Sequence, residues 1–281
     1  VAGSAGYFAG QGTATAGAAQ TVTQTKTVQA AGEGTLNKET LAIGASVTGV
    51  DSMDPAKIFG FLSFTLGLNC YENLLRPNYD FTGEEPNIAE SVTRGADHRT
   101  YTAIIDSNAK FSNGDRLTAK DVEYSWRRVL GLAAPAIHHF RVTTLTNPDN
   151  INALDDRTLE FKLEEPIMES LVRAEIAQLT TYGIVNPNQV EAHIEDGDFG
   201  SAWLETNSAG AGPFVLTKWE KDSEIILEAN KHYWRNPAPA IKFVDKVIPE
   251  RNWEQKRQDI LTYKIDIFTI GNDWAKKFDD L

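Results

Sequence analysis

Five histidines, His98, His138, His139, His193 and His232, are the side chains here with the widest chemical range, able to serve as metal ligands or proton carriers. None has a second histidine four residues away, the spacing that puts two ligands on one helix face. His138 and His139 are adjacent and point apart in regular structure, so surface or hydrogen-bonded core positions are expected for all five. Cys70 is the single cysteine, which leaves no internal disulfide and no CxxC motif. It falls in an apolar run, where a thiol is more often packing than nucleophile. No serine stands in a GxSxG elbow. The acidic pairs Glu84-Glu85, Asp155-Asp156, Glu164-Glu165 and Asp279-Asp280 are expected at loop or element ends, solvated. A glycosidase pair is defined by separation in space, not along the chain. Gly210 and Gly212 lead into Pro213 and a strand, not into a phosphate-cradling turn before a helix. Neither a catalytic set nor a metal or cofactor site emerges.

The elements that would position any site alternate between strand and helix. Thr40 to Ala45 is β-prone, and the apolar stretch from Ile58 to Leu75 is too long for a strand and predicts a helix. Arg99 to Asp106 and Arg157 to Leu163 alternate as strands do, with Leu159, Phe161 and Leu163 on one face. Between them, Thr118 with Asp121 three residues on forms a helix start. Val122, Trp126, Val129 and Leu130 then follow at helical spacing, so Trp126 should face the core. Phe214 to Trp219 and Glu224 to Ala229 predict paired strands, Ile241 to Ile248 another, Trp253 to Leu261 a helix, and Ile265 to Ile270 a buried strand. The class is mixed α/β, with no repeat of 20 to 50 residues evident.

Composition removes whole classes of partner. The 281 residues carry 27 Lys+Arg against 39 Asp+Glu, a net charge of -12, which disfavours phosphate backbones and anionic membrane surfaces. No run of 18 uncharged apolar residues occurs, so no complete transmembrane helix lies within the chain. Of the first 35 residues, 27 are Ala, Gly, Thr or Gln, too little apolar surface to fold on its own. Residues 1–37 are therefore expected to be a disordered tether. Its opening Val1 to Gly10 is small and apolar, as the remnant of a signal or anchor helix would be.

A series of short words runs along the rest of the chain. In order they are Ser52-Met53-Asp54-Pro55, Tyr71-Glu72-Asn73-Leu74-Leu75, Ile88-Ala89-Glu90-Ser91, and Lys110-Phe111-Ser112-Asn113-Gly114-Asp115. Leu117-Thr118-Ala119-Lys120-Asp121-Val122-Glu123-Tyr124-Ser125-Trp126, Gly210-Ala211-Gly212-Pro213-Phe214, Leu227 to Trp234, and Tyr263-Lys264-Ile265-Asp266-Ile267 complete it. From about residue 38 onward the series resembles the extracellular solute-binding proteins of peptide/oligopeptide ABC importers, family 5. Each word also has a local physical meaning. Asn113-Gly114 suits a turn, Gly210 to Gly212 relieves backbone crowding ahead of a strand, and Tyr233-Trp234 is an apolar block chiefly for packing.

The resemblance implies a periplasmic-binding-protein-like type II α/β fold with two lobes, the C-terminal lobe largely missing from this chain. It implies a first lobe from residues 38–80 and 180–281, with 81–179 as a smaller subdomain. It implies an extracytoplasmic receptor that closes on a short peptide or other small solute and hands it to ABC transporter permease subunits, with no covalent chemistry, no cofactor and no nucleic acid. One cleft wall would run through Phe59, Gly60, Phe61 and Leu62; the alternative is that both phenylalanines are helix core. A second candidate is Ile270, Gly271 and Asn272 at a strand's C-terminal end, where α/β ligand sites tend to lie. Lacking the other wall, this chain is expected to bind its solute weakly. The family's lipid-modified N-terminal cysteine is absent, and the resemblance then points to a helix ahead of Val1 as the membrane tether. Tyr263-Lys264 stands where the family shows Gly-Glu. An oligosaccharide receptor, a sensor or adhesion module on the same fold, and a hydrolase whose groups are not identified remain the other readings.

Overall fold

A computed structural model describes residues 40–44, 50–58, 60–132, 136–177, 181–220, 223–235, 243–248, 253–262 and 264–268. All of them belong to one compact unit, Thr35–Leu281. The elements in chain order are β1 (Thr40–Gly44), α1 (Phe61–Cys70), β2 (Leu75–Pro77), β3 (Glu84–Pro86), β4 (Ala89–Arg94), β5 (Thr100–Ile105) and α2 (Ala119–Leu132). They continue with α3 (Ile137–Val142), β6 (Ile151–Ala153), β7 (Thr158–Lys162), α4 (Glu169–Ala177), α5 (Pro187–Glu191) and α6 (Ser201–Leu204). Last come β8 (Phe214–Glu220), β9 (Glu224–Ala229), β10 (Phe243–Ile248), α7 (Trp253–Leu261) and β11 (Ile267–Phe268).

Among the described residues three sheets result. A five-stranded sheet has the order β11-β1-β10-β9-β8, a four-stranded sheet the order β4-β5-β7-β6, and β2 and β3 form a hairpin of their own. β1 pairs in parallel with both β10 and β11, so α7 is the crossover of a parallel β-α-β unit into which the first strand is inserted. The four-stranded sheet is antiparallel throughout.

α2 covers the four-stranded sheet because its apolar residues recur at helical spacing: Val122, Trp126 and Val129 are buried and Leu130 packs beside them. Asp121 Oδ2 accepts from Thr118 N at 2.7 Å and from Thr118 Oγ1 at 2.9 Å, tying the acid of the first turn back to the residue before the helix. Trp126 is fully buried. Its ring meets Phe161, Tyr182 and Phe140 edge-on, and its indole N–H donates to Tyr182 O at 3.3 Å. A second core lies between α1 and the β8–β9 strands, built on Leu66, Cys70, Tyr71, Ile225 and Leu227. In the turn after Phe111, Gly114 has φ 94°, the left-handed conformation expected there.

Three local expectations are corrected. The apolar run from Ile58 to Leu75 is not one helix: α1 ends at Cys70, and Leu75–Pro77 is β2. Partners from elsewhere draw the chain out, since Gly212 N donates to Cys70 O, Ile184 N to Glu72 O and Ile88 N to Asn73 O. At the other end of the chain, Ile265 is buried but precedes β11, and Ile267 in that edge strand is 51% exposed. Lys264 N and Ile265 N both donate to Asp259 O, so Ile265 belongs to the turn that closes α7. The pair Glu84-Glu85 opens β3, at an element end as expected, but is held by cations rather than by solvent alone: Glu85 by Arg76, and Glu84 by Arg173 at 3.6 Å. Residues 1–37 and the acidic pair Asp279-Asp280 lie outside the described residues.

Candidate functional site

α1 is the element on which the sequence placed a cleft wall. Ser63, Leu66, Gly67 and Cys70 turn inward, while Leu62, Phe64 and Leu68 remain partly exposed. Gly60, extended at φ -75°, precedes the helix, and Leu62 rests on the edge of the second core. Asp51 organises this entry: its carboxylate accepts from Gly60 N at 3.3 Å and from the Ser63 hydroxyl. The chain of Phe61 begins α1. Phe59, Ile270, Gly271 and Asn272 lie outside the described residues.

One or two turns farther along, α1 contributes Phe64 and Leu68 to a cavity of about 420 Å³. The β2–β3 hairpin supplies Pro77 and Phe81 opposite, and Ala177 and Pro213 complete the apolar lining. Phe81 is 84% exposed and has φ 56°, an uncommon conformation for an aromatic residue. Four polar side chains converge on the same space, Glu72, Arg76, Asn87 and Tyr233. Apolar walls with a few converging polar groups are the usual make-up of a small-molecule site.

Each polar group is held from a different part of the chain. Tyr233 Oη donates to Glu72 Oε1 at 2.7 Å across 161 positions of sequence. Arg235 donates to Asn87 Oδ1 and lies 5.6 Å over the Trp234 ring. Arg76 Nε donates to Glu85 Oε1 at 2.6 Å across the hairpin. Burial pushes the Glu72 carboxyl up to about 7, against the opposing pull of the Tyr233 hydrogen bond and of Arg235 and Arg76. The Trp234 indole N–H also lowers it by proximity, although Glu72 Oε2 and Trp234 Nε1 do not meet in a bond of normal geometry. Tyr233 is raised in turn by burial and by the neighbouring carboxylate.

Sequence reasoning treated Glu72 and Tyr233 as parts of fold words and overlooked Arg76 and Asn87. A carboxylate between an apolar run and Leu74-Leu75 was the available signal, because buried acids are rare without partners. Two of the histidines have partners of their own: His139 Nδ1 lies 2.8 Å from Glu175 Oε2, and His193 stacks on Trp203 with ring centroids 4.2 Å apart. Among the described residues no cluster of His, Cys, Asp or Glu could hold a metal, and no helix is long and apolar enough to cross a membrane.

Residues 84–275 match the family of bacterial extracellular solute-binding proteins, family 5, in its middle region. The chain belongs to this family. The family 5 chain is 29% identical over 232 residues to the probable D,D-dipeptide-binding periplasmic protein DdpA of Escherichia coli K12, covering 79% of itself and 42% of that protein. It superposes with TM-score 0.69 and 25% identity on the ABC transporter-associated periplasmic binding protein DppA of Helicobacter pylori in complex with the peptide STSA. That match covers 86% of this chain and 48% of the other. The family 5 chain thus spans less than half the length of either relative, and the relatives' fold is the type II mixed α/β fold expected. A stretch of 41 residues is 61% identical to the glycerol-3-phosphate cytidylyltransferase of Bacillus subtilis, over 15% of this chain and 32% of that enzyme.

Proposed function

We propose that this chain forms part of an extracytoplasmic receptor that captures short peptides and delivers them to an ABC permease by closure of two lobes, without covalent chemistry. The observation that carries this reading is the family 5 match over residues 84–275. Relatives named for D,D-dipeptide binding and solved with a bound peptide favour peptide over oligosaccharide. Closure would bury the solute and let fixed backbone and side-chain groups replace its water.

The wall offered by this chain is Phe59, Gly60, Phe61 and Leu62 at the start of α1, with Ile270, Gly271 and Asn272 as the second contact. Support comes from Gly60 and Leu62, both partly exposed. The lobe division, 38–80 with 180–281 against 81–179, draws support from β1 sharing a sheet with β8, β9 and β10 while β4 to β7 form another.

Amide chemical shifts of the isotopically labelled chain test the reading. Titration with Ser-Thr-Ser-Ala and with dipeptides should give weak, saturable shifts centred on Gly60 to Leu62, and maltotriose should give none. Shifts with maltotriose alone would move the receptor to the oligosaccharide class. Turnover of the peptides would replace it with a hydrolase.

A further inference from the structure

The cavity beside α1 has donors left over. Asn87 is only 5% exposed, and its Oδ1 is taken by Arg235, which leaves its Nδ2 hydrogens with no acceptor among the described residues. Arg76 spends Nε and Nη2 on the single oxygen Oε1 of Glu85, so Nη1 is similarly left to meet whatever occupies the cavity. An amide N–H that opens toward the cavity and a guanidinium nitrogen beside it are the donors that suit a carboxylate. The rest of the lining, Phe64, Leu68, Phe81, Ala177 and Pro213, offers apolar surface to a hydrocarbon body.

We propose that this cavity binds a small monocarboxylic acid with an aryl or branched-alkyl body, its carboxylate accepting from Asn87 Nδ2 and Arg76 Nη1. A cation is disfavoured because Arg76 and Arg235 both flank the space. The group that would oppose a carboxylate is Glu72, and its surroundings hold it largely neutral below neutrality. Tyr233 and Trp234 face it from the segment after β9 with Arg235, Arg76 faces it from β2 and is itself held by Glu85, and Glu84 is occupied by Arg173 of α4. Binding is therefore linked to a proton. With Glu72 titrating at about 7 and only its neutral form admitting the acid, the apparent affinity falls about tenfold between pH 6 and pH 8. The site is separate from the peptide wall at Gly60 to Leu62, so its failure would leave the receptor reading standing.

Fluorine NMR of 3-(4-fluorophenyl)propionate with the whole chain tests this, circular dichroism verifying the fold of each variant. The expected result is saturable binding at pH 6, about tenfold weaker at pH 8, with the dependence flattened in Glu72→Gln. Arg76→Gln, a change at a half-exposed side chain, should weaken binding about tenfold or more, and the matching alcohol should bind no better than that variant binds the acid. No saturable signal at pH 6 from the folded chain would overturn the proposal. So would equal binding of acid and alcohol, or an Arg76→Gln chain that binds like the parent.

Discussion

Arg128 on α2 grips Asp54 with two parallel hydrogen bonds, Nη1 to Oδ1 and Nη2 to Oδ2, each 2.8 Å long across 74 positions of sequence. Their side chains are 2% and 0% exposed, so this is an ion pair out of water. The remaining capacity is also filled: Ser201 Oγ donates to Asp54 Oδ2 at 2.7 Å, Ala56 N to Oδ1 at 2.9 Å, and Arg128 Nε to Phe199 O at 2.8 Å. The pair joins the segment ahead of α1 to α2 and α6. Removing one partner strands the other charge, so Asp54→Ala or Arg128→Ala should cost about 3 to 5 kcal/mol in urea unfolding. The double change Asp54→Ala with Arg128→Ala should cost less than the sum of the two singles; strict additivity would show that the two groups are not coupled.

Glu72 makes stability depend on pH in the direction opposite to an ordinary salt-bridged acid. Its folded carboxyl titrates at about 7 against 4.5 when unexposed to the fold, so the folded chain binds the extra proton between those values. Its contribution is fully present below about 4.5 and is lost as pH rises through 7, amounting to roughly 3 kcal/mol by pH 8. Glu72→Gln keeps an acceptor for Tyr233 and carries no charge. That variant should be the more stable chain at pH 8 and should lose its advantage at pH 5, as read from urea midpoints; the reverse order would sink the assignment.

Trp126→Ala should destabilise by about 3 to 5 kcal/mol, because it empties the meeting point of Phe140, Phe161 and Tyr182 and leaves a carbonyl without its indole donor. Ligand preference should not change. A stable variant with altered peptide binding would place Trp126 in the site.

Gly210 and Gly212 let the chain lie against the end of α1. A Cβ at Gly210 would stand 2.1 Å from Cys70 O, and one at Gly212 would stand 2.5 Å from Asn69 O. Both obstacles are backbone, which yields poorly. Gly210→Ala and Gly212→Ala are each expected to cost about 1 to 3 kcal/mol or more in thermal or urea unfolding, and a neutral substitution would mean that α1 shifts freely.

Much of the architecture was legible because it rests on local periodicity. α7 falls at Trp253–Leu261 as the pattern predicts, and β5, β7, β8 and β9 lie within a residue or so of their expected spans. Trp126 could be placed inside because Val122, Val129 and Leu130 share its face. What could not be read are choices made by distant partners. Cys70 to Leu74 leaves the helix to bond with residues near 88, 184 and 212, which no window of sequence reveals. The cavity suffers the same way: Glu72 and Tyr233 meet across 161 positions, and Asn87 and Arg235 across 148. Asp54 was visible only as half of an Asp-Pro word, and nothing in the sequence links it to Arg128, 74 positions on.

The insertion of β1 between β10 and β11 also sets a timetable. Thr40 pairs with Phe243, about 200 residues later, so during synthesis at 5 to 20 residues per second the first strand waits about 10 to 40 s for its neighbours. The four-stranded sheet, whose strands all lie between Ala89 and Lys162, draws no strand from either end, so its pairing can form meanwhile. Closing the longer loop costs entropy that only the finished sheet returns, which makes completion of the five-stranded sheet the slow step. Until then β1 is an apolar strand with two open edges, a ready template for pairing with another chain.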